Sequence, residues 1–288
     1  MAKKSNARLA DFQYAGVARA TSTGKPGPRR DAFDLRRFDP AAKPFSLGDK
    51  ARDKAAVEAL AAELDRLQDM LYADRRFKML VVLQGTDTSG KDGTIRSVFA
   101  LTSALGVRAV GWKAPNEEER AHDYLWRIHR QMPGAGEIVI FNRSHYEDVL
   151  VPGLKGWITE AEVRQRCAHI NDFERMLCET GTIVLKFLLH ISKEEQRLRL
   201  QDRLDDPTKH WKFALGDLEE RTRWDAYQAA YGEAVNATGT SWAPWTIVPA
   251  DSKTHRNLMI ARAVTDSLRG LKLRYPPGDP ALADIKVP

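Results

Sequence analysis

The hydrophobic positions of the chain change their period near residue 78. Before this point, Val57, Leu60, Leu64, Leu67 and Leu71 recur three or four residues apart, which predicts one long amphipathic helix beginning near residue 51. After it, short apolar runs alternate with stretches of helical periodicity. The apolar runs predict strands at Lys78–Leu83, Val107–Trp112, Glu137–Phe141, Thr182–Leu189 and Trp245–Val248. The stretches between and after them predict helices at 92–104, 117–130, 159–179, 192–204, 217–236 and 253–270. Strands separated by helices indicate an α/β fold whose parallel sheet is covered on both faces.

Charge divides the chain differently. Residues 1–50 contain eleven Lys and Arg against five Asp and Glu, so this segment carries the whole net charge of +6 of the 288-residue chain. We expect a basic N-terminal arm at 1–50, a folded domain at 51–275 and a short tail at 276–288 after "YPPGDP". The arm, with "GKPGPRR" at 24–30, has two interpretations: a solvated or partner-packed tail, or an electrostatic guide for a polyanion.

Targeting signals are missing from the pattern. The N-terminal stretch "MAKKSNARLADF" lacks the apolar core of a signal peptide, and no apolar run approaches the length of a membrane span. Cys167 and Cys178 lie eleven positions apart in a predicted helix, too far for a disulfide, so we expect reduced thiols. These features favour a cytoplasmic enzyme with neither a membrane nor a nucleic acid as partner.

A glycine-rich loop follows the first predicted core strand. "GTDTSGKDG", residues 85–93, keeps the G-x-x-x-x-G-K spacing of a phosphate-binding loop, in which backbone N–H groups and the lysine contact phosphates. Asp92 stands where the usual pattern has Ser or Thr, and Asp87 lies inside the loop. Phosphoryl transfer needs cations to neutralise charge, so we expect Asp87 to hold Mg²⁺; Asp92 either does the same or caps the next helix.

The third predicted strand ends in "FNRSHYEDVL", residues 141–150. In parallel sheets the ligand cleft lies at the carboxyl ends of the strands, so Asn142, Arg143, Glu147 and Asp148 should point toward it. Glu147 either supplies the acidic group that Asn142 does not, or begins a helix. We expect His145 to be structural.

Basic residues recur between 194 and 227. Arg199 and Arg203 share one face of a predicted helix, and Lys209, Lys212 and Arg223 follow the Asp206-Pro207 break. Because acidic residues are interspersed, two interpretations stay open at this point: a solvated helix pair, or a lid that folds positive groups over phosphates.

Taken together, "GTDTSGKDG", "FNRSHYEDVLV", "WRIHRQMPGAGEI" and "RLDDPTKHWKF…DLEERTRWDAY" resemble the polyphosphate kinase 2 family from about residue 50 to 272. Within the family the chain is most similar to the third class, which phosphorylates both nucleoside mono- and diphosphates. The resemblance implies a P-loop kinase-like three-layer fold with a five-stranded parallel sheet and a helical lid at about 197–225. It also implies inorganic polyphosphate as the phosphoryl donor and adenine nucleotides as acceptors, with guanine nucleotides as a further class. The implied metal is Mg²⁺, with Mn²⁺ as the alternative, and the implied assembly is a dimer or tetramer.

The resemblance also assigns roles to positions. It implies that the catalytic residues are Asp87, Lys91, Arg143, Glu147, Arg199 and Arg203, with Asp87 and Glu147 as metal ligands. It implies that the substrate-binding residues are Gly85, Thr86, Thr88, Ser89, Gly90, Asp92, Gly93, Lys113, Arg127, Asn142, Lys209, Lys212 and Arg223. We expect both lid arginines to be exposed. Many family members have Asp in place of Asn142, and members that use only diphosphates have Asn in place of Glu147.

Two other functions fit parts of the pattern. An ATP-dependent nucleoside monophosphate kinase would share the loop and the arginine lid but use a different donor. A polyanion-binding protein could use the basic arm on an inactive kinase core, although Asp87, Lys91 and the lid arginines are all present. The second should lose affinity steeply with salt and show no turnover.

Overall fold

A mostly parallel β-sheet lies at the centre of the computed structural model, which describes residues 7–16, 33–281 and 285–287. Within these ranges the sheet has six strands: β1 Gln13–Tyr14, β2 Lys78–Gln84, β3 Val107–Gly111, β4 Ile138–Asn142, β5 Thr182–His190 and β6 Trp245–Pro249. Their order across the sheet is β1-β6-β5-β2-β4-β3, and β2 to β6 are parallel, as predicted. The sequence pattern missed β1, which pairs antiparallel with β6.

The burial of the central strand β2 explains why its limits could be predicted from the hydrophobic pattern of the sequence. All of its residues from Met79 to Gln84 are buried, because helices cover both faces of the sheet, and such a strand appears in the sequence as a continuous apolar run. Its register places Leu83 beside Asn142 of β4 and Phe187 of β5. The carboxyl ends of these strands therefore meet at one edge of the sheet.

Helices cover the two faces of the sheet. They are α1 Lys50–Asp74, α2 Lys91–Val98, α3 Glu117–Ala121, α4 Trp126–His129, α5 Glu147–Leu154, α6 Glu160–Glu179, α7 Lys193–Asp205, α8 Leu215–Thr222, α9 Trp224–Thr238 and α10 Lys253–Gly270. Side chains of α1, α2 and α10 form one apolar core with the sheet, and side chains of α5, α6 and α9 form the other. This is the expected three-layer arrangement.

Several predicted helices have different limits. The helix predicted at 92–104 ends at Val98, the one at 117–130 is divided into α3 and α4, and the one at 217–236 is divided at Arg223 into α8 and α9. Helix α5 was not among the predicted helices, because Pro152 and Gly153 lie inside it, although a helix start at Glu147 was one of the two interpretations of that residue. A proline leaves the carbonyl four residues earlier without its N–H donor. Arg166 of α6 donates to that carbonyl, Asp148 O, at 2.8 Å, so the helix continues through the proline.

The N-terminal arm is part of the folded domain where the structure describes it. Leu35 and Phe45 are buried in the two cores, and the Phe45 N–H donates to His255 Nε2 at 3.2 Å. The expectation of a solvated tail is therefore wrong for these residues, whose aromatic and aliphatic side chains remove apolar area from water. The basic stretch 24–30 lies outside the described residues. The described residues of the C-terminal tail, 276–281 and 285–287, are exposed.

None of the helices in the described ranges combines the length and the apolar character that crossing a lipid bilayer requires. Both cysteines lie on α6 and are free thiols, as expected.

Candidate functional site

The predicted phosphate loop connects β2 to α2 and occupies residues 85–90. Gly85 and Gly90 have φ values of +148° and +103°, a region that residues with a Cβ rarely adopt. A Cβ at Gly85 would approach Leu189 O to 2.6 Å, and one at Gly90 would collide with the guanidinium of Arg256. Both glycines are thus required for the loop to lie flat against β5 and α10.

Lys91 begins α2 and turns back into the loop. Its Nζ donates to Gly85 O at 2.8 Å and Thr86 O at 3.2 Å, and lies 3.4 Å from Ser89 Oγ. The side chain is buried, and burial, assisted by the nearby charge of Arg143, lowers the pKa of Lys91 to about 8. None of its three hydrogen-bond partners is charged, so the ammonium group is positioned but not neutralised.

Two threonine hydroxyls in the loop have no protein partner. Thr86 Oγ1 and Thr88 Oγ1 are buried without a hydrogen bond, which is uncommon for buried polar atoms. Thr88 also has a φ of +63°, a strained conformation for a β-branched residue. The loop therefore offers unused hydrogen-bonding groups beside the Lys91 ammonium, as expected of a site that receives anionic oxygens.

Arg143 connects the two predicted catalytic carboxylates. It follows β4 in the left-handed region, with a φ of +65°, which turns its side chain toward the loop. Its Nη2 lies 2.6 Å from Asp87 Oδ1, and its Nη1 lies 3.9 Å from Glu147 Oε2. Burial opposes ionisation of Asp87, but Lys91 and Arg143 outweigh it and lower its pKa. Asp87 is therefore an anion held between two cations.

Asp92 and Asn142 form a second polar contact. The Asn142 side-chain amide donates to Asp92 Oδ1 at 2.5 Å, across the mouth of the loop. Asp92 lies in the first turn of α2, where a carboxylate favours the helix dipole, but the helix N-cap is Gly90 and has no side-chain cap. The capping interpretation of Asp92 is therefore wrong, since its hydrogen-bond partner is the end of β4.

The predicted lid contains α7, a short 3-10 helix at Pro207–Lys212, and α8. Arg199 of α7 is buried, contrary to the expectation of an exposed lid arginine. Its guanidinium donates to Thr88 O (2.8 Å) and Ser89 O (3.2 Å), and also to Ala250 O (2.7 Å) and Asp251 O (2.9 Å). Arg199 therefore fixes the backbone of the phosphate loop to the end of β6.

Arg203, one turn later, is half-buried. Its Nη1 donates to Lys212 O at 2.8 Å and lies 3.4 Å from Asp217 Oδ2. Lys209 forms 3.0 Å ion pairs with Asp202 and Asp206. These contacts fold the predicted lid upon itself while its basic side chains line the cleft below.

Glu220 of α8 was not predicted as a site residue. Burial, followed by the charge of the nearby Asp87, raises the pKa of Glu220 to about 7. The ionised Asp87 carboxylate thus favours the protonated form of Glu220. Glu220 escaped detection because, in the sequence, it is one of several acidic residues in a charged helix.

Two cavities adjoin each other near the end of β4. The first, which we call the basic cleft, has a volume of about 650 Å³ and is walled by the loop, the end of β4 and the predicted lid. The second, which we call the aromatic pocket, has a volume of about 670 Å³, and its walls include Tyr124 and Trp157. Trp112, Lys113 and Arg143 line both, so the two cavities meet at Arg143.

Most predicted site residues line these cavities. The basic cleft is lined by Asp87, Thr88, Gly90, Lys91, Asp92, Gly93, Lys113, Asn142, Arg143, Arg199, Arg203, Lys209 and Lys212. Gly85, Thr86 and Glu147 line the small cavity that joins the two. Ser89, a residue of the loop itself, is fully buried. Arg223 is exposed and donates to Leu154 O at 2.5 Å, at a distance from the cleft walls. Arg256 and Lys253 of α10 also line the basic cleft and were missed.

Arg127 lines the aromatic pocket. Its Nη2 donates to both carboxylate oxygens of Asp148, at 3.3 and 3.0 Å, and its guanidinium packs on the Trp112 ring. Even so, burial raises the pKa of Asp148. His145 is also buried, 3.2 Å from Glu174, so its expected structural role agrees with its position.

The described residues fit a Mg²⁺ ion bound jointly by protein and phosphates. They contain no cluster of three or more His, Cys, Asp or Glu side chains that could hold a metal alone. Mg²⁺ usually takes only one or two carboxylates plus phosphate oxygens and water. Asp87 and Glu147, joined through Arg143 and adjoining the unpaired Thr86 hydroxyl, provide this kind of donor set.

Comparison with known proteins agrees with this geometry. The family model of polyphosphate kinase 2 matches residues 48–275. The AMP/ADP-polyphosphate phosphotransferase of Meiothermus ruber is 49% identical over 258 residues, which cover 88% of this chain and 96% of the relative. The ADP-polyphosphate phosphotransferase of Rhodopseudomonas palustris is 38% identical over 239 residues, covering 78% and 83% of the two chains.

A solved structure has the same fold. The crystal structure of polyphosphate kinase 2 from Arthrobacter aurescens superimposes with a TM-score of 0.84 at 42% identity, covering 95% of this chain and 96% of that one. The match of the family model spans the phosphate loop, the motif at 141–150 that follows β4, and the predicted lid. The chain therefore belongs to the polyphosphate kinase 2 family.

Proposed function

We propose that the protein transfers the terminal phosphoryl group of inorganic polyphosphate to nucleoside mono- and diphosphates, converting AMP to ADP and ADP to ATP, in a reversible reaction. The observation that carries this proposal is the junction of two unlike cavities at Arg143. A chain of phosphates without a base suits the basic cleft, and a nucleoside suits the aromatic pocket. The phosphoryl group passes between them, beside Lys91.

The residues at the junction perform transfer by positioning and charge neutralisation. The phosphate oxygen of the acceptor is ionised at neutral pH, so the reaction needs no strong general base. Lys91 and Arg143 stabilise charge on the equatorial oxygens of the transferring group, because both cations are held in place before the reaction. The backbone of the loop and the hydroxyls of Thr86 and Thr88 donate to the remaining oxygens.

Asp87 and Glu147 would hold Mg²⁺, or Mn²⁺ in its place, which supplies charge neutralisation when bound. In the structure Arg143 contacts Asp87 at 2.6 Å and lies 3.9 Å from Glu147, so Asp87, which would hold the ion, also orients the arginine. The loop therefore carries its carboxylates because the donor and acceptor together bring more negative charge than Lys91 and Arg143 can balance.

Glu147 is the residue that we assign to use of monophosphates. A monophosphate is shorter than a diphosphate by one phosphoryl unit, so it must bind deeper for the same atoms to react. The Glu147 carboxylate lies in the small cavity at the junction, where it can bind an ion or water that fills the space. The name of the Meiothermus ruber relative, which includes both AMP and ADP, supports the use of both acceptor classes.

The wider setting of the protein follows from the same proposal. Adenine nucleotides are the expected acceptors, and guanine nucleotides are a second class for the aromatic pocket to accept. We propose a cytoplasmic location and a homo-oligomer, either a dimer or a tetramer. Size-exclusion chromatography with light scattering measures the oligomeric state directly.

One assay tests the central proposal. The purified protein is incubated with polyphosphate, Mg²⁺ and either AMP, ADP, GMP or GDP, and the products are separated by chromatography. We expect ADP and ATP from AMP, and ATP from ADP, without any added ATP. A protein that phosphorylates AMP only when ATP is supplied would instead be an ATP-dependent nucleoside monophosphate kinase.

A further inference from the structure

Gln84 is a buried polar residue that none of the motifs includes. It is the last residue of β2, directly before the phosphate loop, and only 1% of its surface is exposed. Its Nε2 donates to Glu147 Oε1 at 3.0 Å. A buried amide with a charged acceptor forms a stronger hydrogen bond than one between neutral groups.

The orientation of this amide is fixed by its neighbours. Ser144 Oγ accepts from the Tyr146 N–H at 3.2 Å and lies 3.4 Å from Gln84 Oε1, to which its hydroxyl donates. Gln84 Oε1 therefore faces a donor, so its NH₂ group must face Glu147. The backbone of the strand-end motif, the serine, the glutamine and the Glu147 carboxylate form one polarised chain of hydrogen bonds.

This chain determines which oxygen of Glu147 is available. Oε1 is occupied by Gln84, whereas Oε2 faces Arg143 at 3.9 Å, beyond hydrogen-bond distance. Arg143 already forms a 2.6 Å contact with Asp87. Without the amide of Gln84, the Glu147 carboxylate would be free to move onto the Arg143 guanidinium, and both carboxylates would then be engaged by one cation.

We propose that Gln84 is a positioning residue that determines acceptor choice. By holding Oε1, it keeps the Glu147 carboxylate apart from Arg143 and leaves Oε2 facing the junction, where a monophosphate acceptor needs it. Phosphorylation of a diphosphate, which fills the space itself, depends much less on this arrangement. The inference rests on the proposed function and assigns the control of its acceptor class to a residue that touches neither substrate.

Replacement of the amide by an apolar side chain of similar shape tests the proposal. In Gln84→Met, we expect kcat/KM with AMP to fall about tenfold while kcat/KM with ADP changes less than about twofold. Gln68→Met is the matched control, because Gln68 is equally buried but lies on α1, where its side chain accepts from the Ser103 N–H at 3.2 Å. The control should leave the ratio of the two activities unchanged.

A coupling measurement separates positioning from general packing. If Gln84 acts through Glu147, then Gln84→Met should change the AMP to ADP ratio of the Glu147→Asn variant very little. The isosteric Gln84→Glu provides a second variant should Gln84→Met not fold: its carboxylate would repel Glu147, so the ratio should again shift toward ADP. Equal losses with both acceptors, or an unchanged ratio in Gln84→Glu, would overturn the positioning role.

The exchange variant Gln84→Glu/Glu147→Gln gives the sharpest readout. It restores a hydrogen bond between the two positions but moves the negative charge from 147 to 84. We expect its melting temperature to return toward that of the wild type while AMP phosphorylation stays low. Recovery of AMP use would overturn the inference. The wild-type assay distinguishes failure of the proposed function from failure of the role of Gln84. If the wild type is inactive with polyphosphate, the proposed function is wrong. If the wild type is active but Gln84→Met leaves the AMP to ADP ratio unchanged, only the role of Gln84 is wrong.

Discussion

Two buried lysines, one in strand β5 and one at the end of the phosphate loop, have opposite kinds of hydrogen-bond partners. Lys186 of β5 donates to Glu174 at 2.6 Å, to the Tyr146 hydroxyl at 2.9 Å and to Thr238 O at 2.8 Å, so each of its three protons has a partner and its charge has a counter-ion. Lys91, in the phosphate loop, donates only to uncharged oxygens. The first lysine is satisfied by the protein alone, and the second keeps its charge for a ligand.

The difference shows that burial alone does not reveal whether a lysine has a structural or a ligand-binding role. Burial lowers the pKa of both lysines, but the Glu174 carboxylate opposes this effect at Lys186 through direct contact. A buried ion pair is weak support for stability, yet removal of one partner is costly because it leaves the other charge unpaired. Mutation of the two lysines should therefore have opposite consequences for folding and for catalysis.

The largest effect is expected for the structural lysine. Lys186→Met leaves Glu174 as an uncompensated buried anion, so the free energy of unfolding should fall by about 3–5 kcal/mol. Urea denaturation measures this loss. The double variant Lys186→Met/Glu174→Gln removes both charges and should recover much of it, and a double variant as unstable as the single one would contradict the ion-pair explanation.

For the catalytic lysine the expected effect falls on the rate. Lys91→Ala should reduce polyphosphate-dependent kcat by about a hundredfold to a thousandfold, because one prepositioned charged donor is lost in the transition state. Its melting temperature should stay close to that of the wild type, since the ammonium hydrogen-bonds only to uncharged oxygens and the nearby Asp87 carboxylate keeps its 2.6 Å contact with Arg143. Near-normal turnover in this variant would mean that the loop does not perform the transfer.

A smaller effect, on the choice of acceptor, is expected for substitution of Glu147. Glu147→Asn keeps the shape of the side chain but removes the charge, so AMP phosphorylation should fall by about tenfold or more while ADP phosphorylation changes much less. The ratio of kcat/KM values for the two acceptors measures this selectively. Parallel losses would indicate that Glu147 only supports the start of α5.

The smallest effect is an alkaline pH dependence that we assign to Lys91. Lys91 is protonated below its pKa of about 8 and neutral above it. The kcat/KM of the free enzyme should therefore fall about tenfold per pH unit above this value. In Lys91→Arg the guanidinium stays charged, so the alkaline limb should disappear even if the rate is lower. A limb that persists in this variant would belong to another group.

The sequence predicted the fold where one physical signal dominated. Strand β2 is buried on both faces and reads as an apolar run, so its limits, and the loop after it, were predicted to within a residue. Helix α5 was missed because its continuity depends on Arg166, a residue of another helix that compensates for Pro152. Strand β1 has two residues and pairs only with β6, so it has no local pattern to detect.

At the site, the sequence predicted which residues line the cavities better than it predicted the contacts that those residues make. Arg199 and Arg203 share one helix face and looked equivalent, but only Arg199 lies under the loop, where it is fixed by four carbonyl oxygens. The roles of Gln84 and Glu220 depend on contacts with residues 63 and 133 positions away, respectively, which no motif spacing reveals. The assigned catalytic roles stay predictions until the variants are measured.

The four bonds of Arg199 also limit how the lid can move. They tie α7, the phosphate loop and the junction of β6 with α10 into one rigid unit. Opening that preserves this unit must start beyond Arg199, and the chain offers two pivots there: the break at Asp206–Pro207 and the division between α8 and α9 at Arg223. The moving part is then the short segment between the pivots, which carries Lys209, Lys212 and Glu220. Any opening of the predicted lid that preserves the four bonds of Arg199 is therefore confined to this segment and leaves the phosphate loop in place.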